Sequence, residues 1–428
     1  MLTNLQFYAG LKTIGGTIVE VTHDRYRLLF DMGKVFDPEA VYERPIVPWV
    51  FADADDAKEE SPYVTMIAIS HHHADHTGLL PYIREEIPVV MSEATYSFMA
   101  WLAQCDLGDS RPTNAKPLAF QETLTWGAIK LTFYPVDHDI PGACAMLIET
   151  PDLRLVYTGD FRLHGLHPEW TWEFADAARC FAPDLLLIEG TRADSEDNRD
   201  VLKEEELTAF MHGLLLRQQG GAFFTTYPRN PERIAIFAEV ARRTKRKLLL
   251  HPAHAYIYSN FLATMDDVYV WSPEYVSVND QVMAWLETTG QKIITSAAIK
   301  ADLSNWLIDL PFADFYLWDA LGDVSGSIYF ASNGSPLGPF DPSYAIFTKQ
   351  LESRGVSLIY AGSTGHASRR DILEIASKIA PEVMMPLHSF KPWRIGATTI
   401  KRIMPEYEKS YDRNALKTAT YPKATDLL

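Results

Sequence analysis

Residues 71–76 read His-His-His-Ala-Asp-His, directly after the apolar run Val64 to Ile69. The imidazoles of His71, His73 and His76 and the carboxylate of Asp75 therefore crowd into six residues. Imidazole and carboxylate are ligands that suit zinc. Side chains alternate along a strand, so a strand ending in a tight turn here can point His71 and His73 to one side. Asp75 and His76 are then left to reach a second centre nearby. The pattern points to half the ligands of a two-metal site, which polarises a phosphoryl or carbonyl oxygen and makes hydroxide near neutral pH. The alternative is a solvated histidine loop. It is disfavoured because Asp75-His76-Thr77-Gly78 opens a helix-like apolar run (Leu79, Leu80, Ile83) and because further ligands occur where they are needed.

Such ligands belong at strand ends and in the loops after them, where the backbone is fixed and side chains are exposed. Three more places qualify. His138 lies in Tyr-Pro-Val-Asp-His-Asp-Ile-Pro-Gly, after a strand ending at Tyr134. Asp160 ends an apolar strand, and Gly159 beside it lets the backbone approach a metal. His388 lies in Met-Met-Pro-Leu-His-Ser-Phe. A lone His or Asp at a strand end is more often structural, and only the joint occurrence in this order lifts these three.

The elements that must hold these residues read as strands over Thr17 to Thr22, Arg27 to Asp31, Met66 to Ser70, Lys130 to Tyr134, Ala145 to Thr150, Leu153 to Thr158 and Leu185 to Ile188. The last is continuously apolar, as a strand buried on both faces should be. The acidic stretch Asp194 to Glu206 suits a crossing between domains. From about 205 to 345 strands and helices alternate: Ala222 to Thr226, a helix from Pro231 to Arg243, Lys247 to Leu250, Lys292 to Thr295, Asp314 to Trp318 and Ser327 to Ala331. That pattern predicts a smaller parallel sheet inserted into the first domain. The chain divides as 1–193, an insert at 194–345, and a return at 346–428. The return carries the strand Ser357 to Tyr360, a helix from Ser368 to Ile379 and the strand Val383 to Pro386. The fold class is α/β.

At 428 residues, with 47% hydrophobic and 12% aromatic residues, the chain is a packed two-domain protein. No membrane span and no secretory leader are expected, because no apolar stretch is long enough to cross a membrane and the start shows no basic region followed by an apolar run. Cys105, Cys144 and Cys180 are scattered and match no disulfide framework, so the expected compartment is the reducing cytoplasm. The net charge of −17 argues against general electrostatic capture of nucleic acid. Two divalent ions would supply positive charge at the one place where a phosphate must sit.

The chain resembles the metallo-β-lactamase fold hydrolases. Asp31 in Leu-Phe-Asp-Met-Gly, the block 71–76, His138 and Asp160 match the successive motifs of that family in order and rough spacing. It is similar in particular to the β-CASP nucleases, which carry an acidic residue after the next strand, then an inserted domain, then two histidines. Here Glu189 ends Leu-Leu-Leu-Ile-Glu, His366 lies in Gly-Ser-Thr-Gly-His, and His388 follows 22 residues later. Tyr-Pro-Arg-Asn-Pro-Glu-Arg from Tyr227 looks like the nucleotide-facing turn of that insert. The likeness runs closest to RNase J-type enzymes and covers nearly the whole chain. It implies an αββα sandwich with an inserted α/β β-CASP domain.

It also implies roles. His71, His73 and His138 would hold one zinc ion, and Asp75, His76 and His388 the other, with Asp160 bridging. Manganese is the alternative metal. Asp31 would orient a ligand. His366 and Glu189 would donate a proton to the leaving oxygen or steady the scissile phosphate, with Asp75 also in the catalytic set. A histidine at the position of His388 is associated in this family with RNA cleavage, whereas DNA-processing members often carry valine. The resemblance departs at His388-Ser389-Phe390, where RNase J has His-Gly-Glu, and at Glu189-Gly190-Thr191-Arg192, where Asp-Ser-Thr-Asn is common. Only 40 residues follow His388, so the C-terminal domain that helps RNase J dimerise is not expected, and a homodimer stays open.

Other signals are weaker. Ser332-Asn333-Gly334-Ser335 and Ser363-Thr364-Gly365 are small polar turns whose N–H groups can cradle a phosphate, or are plain turns. Arg229 and Arg233 flank a helix start and can clamp an RNA backbone or lie solvated. His164, His167, His251 and His254 lack partners at ligand spacing and read as structural. The expected function is a zinc-dependent ribonuclease acting on single-stranded RNA, with exo- or endonucleolytic attack both open. The rivals are a single-stranded DNA nuclease and a small-molecule ester or thioester hydrolase on the same fold. The insert argues against the last, because a small substrate needs no such lid.

Overall fold

The computed structural model describes residues 2–35, 44–194, 202–262, 265–396 and 399–418. The chain forms two compact units. The first comprises Met1–Met99, Ser110–Asp200 and Gly365–Leu428; the second comprises Ala100–Asp109 and Val201–Thr364.

The first unit is built on two sheets. One runs in the order Asn4–Ala9, Ile18–His23, Tyr26–Phe30, Val64–Ile69, Val89–Ser92, Ala115–Leu118. The other runs Lys401–Arg402, Val383–Leu387, Leu185–Glu189, Arg154–Tyr157, Cys144–Glu149, Ile129–Pro135, Thr123–Trp126. The two-residue period of a strand assigns their faces. Met66 and Ala68 join Leu185, Leu187, Met146 and Phe133 in the core between the sheets. Ile67 and Ile69, one residue out of phase, pack on the other side with Leu79, Leu80, Ile83 and Met99. The outer face of the second sheet is covered by the helices Pro168–Phe181 and Arg369–Ile379, which contact each other and bury Phe174, Ala175, Ile372 and Ile375. The layers are therefore helix, sheet, sheet, helix.

Strand direction decides where chemistry can sit. Tyr26–Phe30 and Val64–Ile69 are parallel. Arg154–Tyr157, Leu185–Glu189 and Val383–Leu387 are parallel to one another, and Ile129–Pro135 joins them through the antiparallel strand Cys144–Glu149. Each of these strands except Cys144–Glu149 is followed at its carboxyl end by candidate ligands or their supports.

The second unit is one parallel sheet in the order Ile293–Ile294, Val268–Trp271, Lys247–Leu250, Trp306–Asp309, Ala222–Thr226, Ile328–Ser332, Ser357–Tyr360. Two readings of the sequence need correction here. Asp314 to Trp318 is not a strand: Phe312–Leu317 is a 3-10 turn, and the strand is Trp306–Asp309 upstream. An aromatic run suggests a strand by composition, but Phe315, Leu317 and Trp318 bury themselves as a helical cap on the core. The chain also does not return to the first unit at 346. Ser357–Tyr360 pairs in parallel with Ile328–Ser332, so the insert's sheet keeps the chain as far as Thr364. Residues 195–201 of the acidic crossing lie outside the described residues. Among the described residues no helix is long and apolar enough to cross a membrane.

Candidate metal centre

All the candidate ligands lie in the first unit, on loops that leave strand ends. After Val64–Ile69 the chain passes Ser70 and His71–His73 into the short helix Ala74–Thr77, which carries Asp75 and His76. The neighbouring strand-end loop packs tightly on that turn. A Cβ on Gly33 would fall 1.7 Å from the Asp75 carbonyl oxygen, so only glycine fits. Two residues directly after strands, Asp31 and His388, sit in the left-handed region at φ 59° and 53°. Non-glycine residues there are uncommon and mark places where the surroundings over-determine the backbone.

Two groups of side chains converge. In the first, His71 Nε2 and His138 Nε2 each lie 3.1 Å from His73 Nδ1. In the second, His76 Nε2 is 3.2 Å from both Asp160 Oδ2 and His388 Nε2, and His388 Nε2 is 3.1 Å from Asp75 Oδ2. Asp160 Oδ2 is also 3.8 Å from His71 Nε2, so this one carboxylate faces both groups. Ligands held at about 2.0–2.1 Å on a tetrahedral zinc ion stand roughly 3.3 Å apart. Asp160 Oδ1 is buried without a hydrogen-bond partner, a costly state unless an ion compensates it. The donor set and this oxygen fit divalent metal.

Outer contacts fix the rings. Asp31 Oδ2 lies 2.8 Å from His76 Nδ1 and accepts from the Tyr157 hydroxyl at 2.7 Å, while Oδ1 accepts from the Ser70 amide at 2.8 Å. The Gly365 carbonyl accepts from His138 Nδ1 at 2.6 Å, which leaves Nε2 for a metal. His366 Nδ1 stands 3.3 Å from Glu189 Oε2 and 3.7 Å from Asp160 Oδ2. The Glu189 carboxylate is itself held by the amides of Phe161, Thr191 and Ala367.

A beta-lactamase superfamily domain matches residues 43–222. Ribonuclease J of Mycoplasma genitalium is 21% identical over 94% of this chain and 70% of that one. Ribonuclease J of Mycobacterium tuberculosis is 23% identical over 90% and 68%. A solved protein of unknown function from Enterococcus faecalis superposes with a TM-score of 0.81 at 25% identity, covering 96% of this chain and all of that one. The chain carries a beta-lactamase superfamily domain and is similar to ribonuclease J proteins along most of its length.

Charge in this metallo-β-lactamase-fold site follows burial and neighbours. Burial holds His71 far below the usual imidazole range and His73 down to about 3, so both are neutral and ready to ligate. Burial would also lower His76, but Asp160, Asp31 and Asp75 outweigh it and raise this imidazole well above its ordinary value. A metal ion there would displace its proton. Burial opposes ionisation of Asp75 and Asp160, yet neighbouring imidazoles, His76 first for Asp75 and His388 first for Asp160, hold both carboxyls low. His366 is raised to about 9: burial works against the charge, and Glu189 and Asp160 override it.

Two residues of the site escaped the sequence reading. Thr191 places its hydroxyl 2.8 Å from His388 Nδ1. Asp139 stands 3.4 Å from His138 Nε2 and 3.6 Å from His73 Nε2. Its only signal was the flanking of His138 by two acids, and these differ in use: Asp137 is buried in a 2.9 Å pair with Arg162 Nε.

The candidates for substrate contact all lie in the second unit. Arg233 is buried, and its guanidinium bonds Glu204 through Nε and Nη2, Ser332 Oγ and Asn333 Oδ1 through Nη1, and the Ser363 carbonyl through Nη2. All five N–H directions are occupied, so Arg233 braces the insert and does not suit a phosphate clamp. The Ser332 hydroxyl accepts from Arg233 and donates to the Ala361 carbonyl. Ser363 is buried, Thr364 half-buried, and Arg229, also half-buried, donates to the Leu107 carbonyl at 3.2 Å.

Proposed function

We propose that this protein is a two-zinc ribonuclease that hydrolyses phosphodiester bonds of single-stranded RNA in the cytoplasm, with manganese as the alternative metal. The observation that carries the reading is the convergence of His71, His73 and His138 on one side of Asp160, and of Asp75, His76 and His388 on the other. The ions would make a nucleophile from water near neutral pH and neutralise charge on a non-bridging phosphate oxygen. Asp75 takes the proton of the attacking water. His366, kept protonated by Glu189 beside it, gives a proton to the leaving oxygen. Glu189 in turn is oriented by three backbone amides, so the pair needs little rearrangement as the leaving oxygen gains charge. RNA is favoured over DNA by the histidine at 388 and by the relatives named ribonuclease J.

The acidic body supports a local grip over a broad basic face. Arg229, Thr364 and the amides around Ser332 and Ser363 are the groups proposed to meet the RNA backbone in the insert.

The test is the zinc-loaded protein with 5′- and 3′-labelled RNA and the matched DNA. RNA laddering that stops when the metal is chelated is the expected result, and the ladder reads exo- against endonucleolytic attack. Faster cleavage of the DNA twin would move the assignment to a single-stranded DNA nuclease. Intact polymers with loaded metal would point to a small ester or thioester.

A further inference from the structure

Five imidazoles face the two centres, and each has a contact on its outer side. At the second centre His76 is backed by Asp31 and His388 by Thr191. At the first, His71 Nδ1 lies 3.0 Å from the Ser70 hydroxyl, and His138 Nδ1 donates to the Gly365 carbonyl. His73 turns Nδ1 inward, 3.1 Å from both neighbouring imidazoles, and its Nε2 edge faces Asp139 Oδ1 at 3.6 Å. Asp139 Oδ1 is buried and has no hydrogen-bond partner. A buried carboxylate oxygen in that state needs a cation or a strong donor. The corner is also kept clear for it: a Cβ on Gly365 would fall 2.6 Å from Asp139 Oδ1 and 2.9 Å from His138 Cε1.

We infer that Asp139 is a positioning residue for the first metal centre, acting through His73 as Asp31 acts through His76. This rests on the two-metal reading above. At 3.6 Å the contact is just too long for a hydrogen bond. Ligation of Nδ1 makes the Nε2–H a stronger donor, and a small rotation of the carboxylate closes the gap. Each centre then has one carboxylate behind one imidazole, which fixes the ring and raises its strength as a ligand. Such outer partners are typically worth 10–100-fold in metal affinity.

The test compares wild type, Asp139→Asn and Asp139→Ser, with His388→Ala as the control for the other centre. Zinc affinities are measured by chelator competition, the cobalt-substituted proteins by their visible spectra, and folding by circular dichroism. The expected result is a folded Asp139→Asn protein that binds one ion at wild-type strength and the other 10–100-fold more weakly, with an altered cobalt spectrum. Asp139→Ser should behave alike, and His388→Ala should weaken the opposite ion. Wild-type affinities and an unchanged cobalt spectrum in both Asp139 variants would overturn the inference alone. A wild-type protein that takes up no metal would overturn the two-metal reading and this inference with it. Weakened zinc in the variants, from a wild type that leaves RNA intact, would uphold the inference and sink the nuclease.

Discussion

The two units each gather histidines and aspartates at strand ends, and they use them differently. In the first unit His71, His76, His138 and His388 each turn one nitrogen to a protein anchor and the other to a shared point. In the second unit His251 follows the strand Lys247–Leu250, His254 opens the next helix, Asp309 ends the adjacent parallel strand Trp306–Asp309, and Asp314 lies in the turn beyond. There the groups pair off. His254 Nδ1 meets Asp309 Oδ2 at 2.5 Å, and that oxygen also accepts from the His251 amide. His251 Nε2 faces Asp314 at 3.6 Å. Among the described residues these four do not close on one ion. Residue type and strand-end position are shared, so neither makes a metal site. What makes one is lone pairs left free to converge because the opposite ring nitrogen is already held.

The comparison breaks first at metal removal. Stripping the protein with a chelator should abolish RNA cleavage, and zinc or manganese should restore it; a stripped protein that still cleaves would end the metal reading. His366→Ala comes next. It should keep both ions by elemental analysis and lose roughly 10²–10⁴-fold in kcat, the usual worth of a positioned acid. Metal loss equal to that of His388→Ala would show His366 to be a ligand.

How far the sequence reached depends on what each residue answers to. His71, His73, Asp75, His76, His138, Asp160 and His388 are legible because ligands must leave strand ends, and apolar runs mark those ends. The sandwich is implied by the family resemblance, whereas the apolar runs at Val64–Ile69 and Leu185–Glu189 mark buried strands without stating how the sheets stack. Asp139 and Thr191 are not, because an outer contact is made across loops that only the folded chain brings together. Arg233 looked free because a helix start exposes it in sequence, and Glu204, 29 residues earlier, is what buries it. The strand at Ser357–Tyr360 was visible, but a lone strand does not state which sheet it joins.

The insert's pairing predicts a stability effect without a metal effect. His254 and Asp309 are both buried, so His254→Ala leaves a carboxylate without its partner. Such losses cost about 3–5 kcal/mol. The variant should unfold earlier by heat or urea and retain both ions by elemental analysis. Loss of an ion would mean that the insert's cluster is not separate from metal binding after all.

The smallest effect sharpens the contrast within the insert, between its two imidazoles. Burial, then the neighbouring His254, push His251 down to about 4. Burial would lower His254 too, but Asp309 overrides it and raises that group. The signs are opposite. An unfolded histidine titrates near 6.5. The neutral form of His251 therefore contributes stability above that value, and the contribution is lost as pH falls from about 6.5 towards 4, because the unfolded chain binds the proton first. The charged form of His254 contributes below about 6.5 and is lost as pH rises through its raised folded value. His251→Gln should remove only the first slope. Its stability relative to wild type should be level above about pH 7 and should improve steadily between pH 6.5 and 4, by up to about 2–3 kcal/mol for a shift of that size. Urea midpoints of the two proteins across that range measure it. A constant offset at every pH would mean that His251 acts only by packing, and that the insert's histidines, unlike those of the metal centre, are not governed by charge.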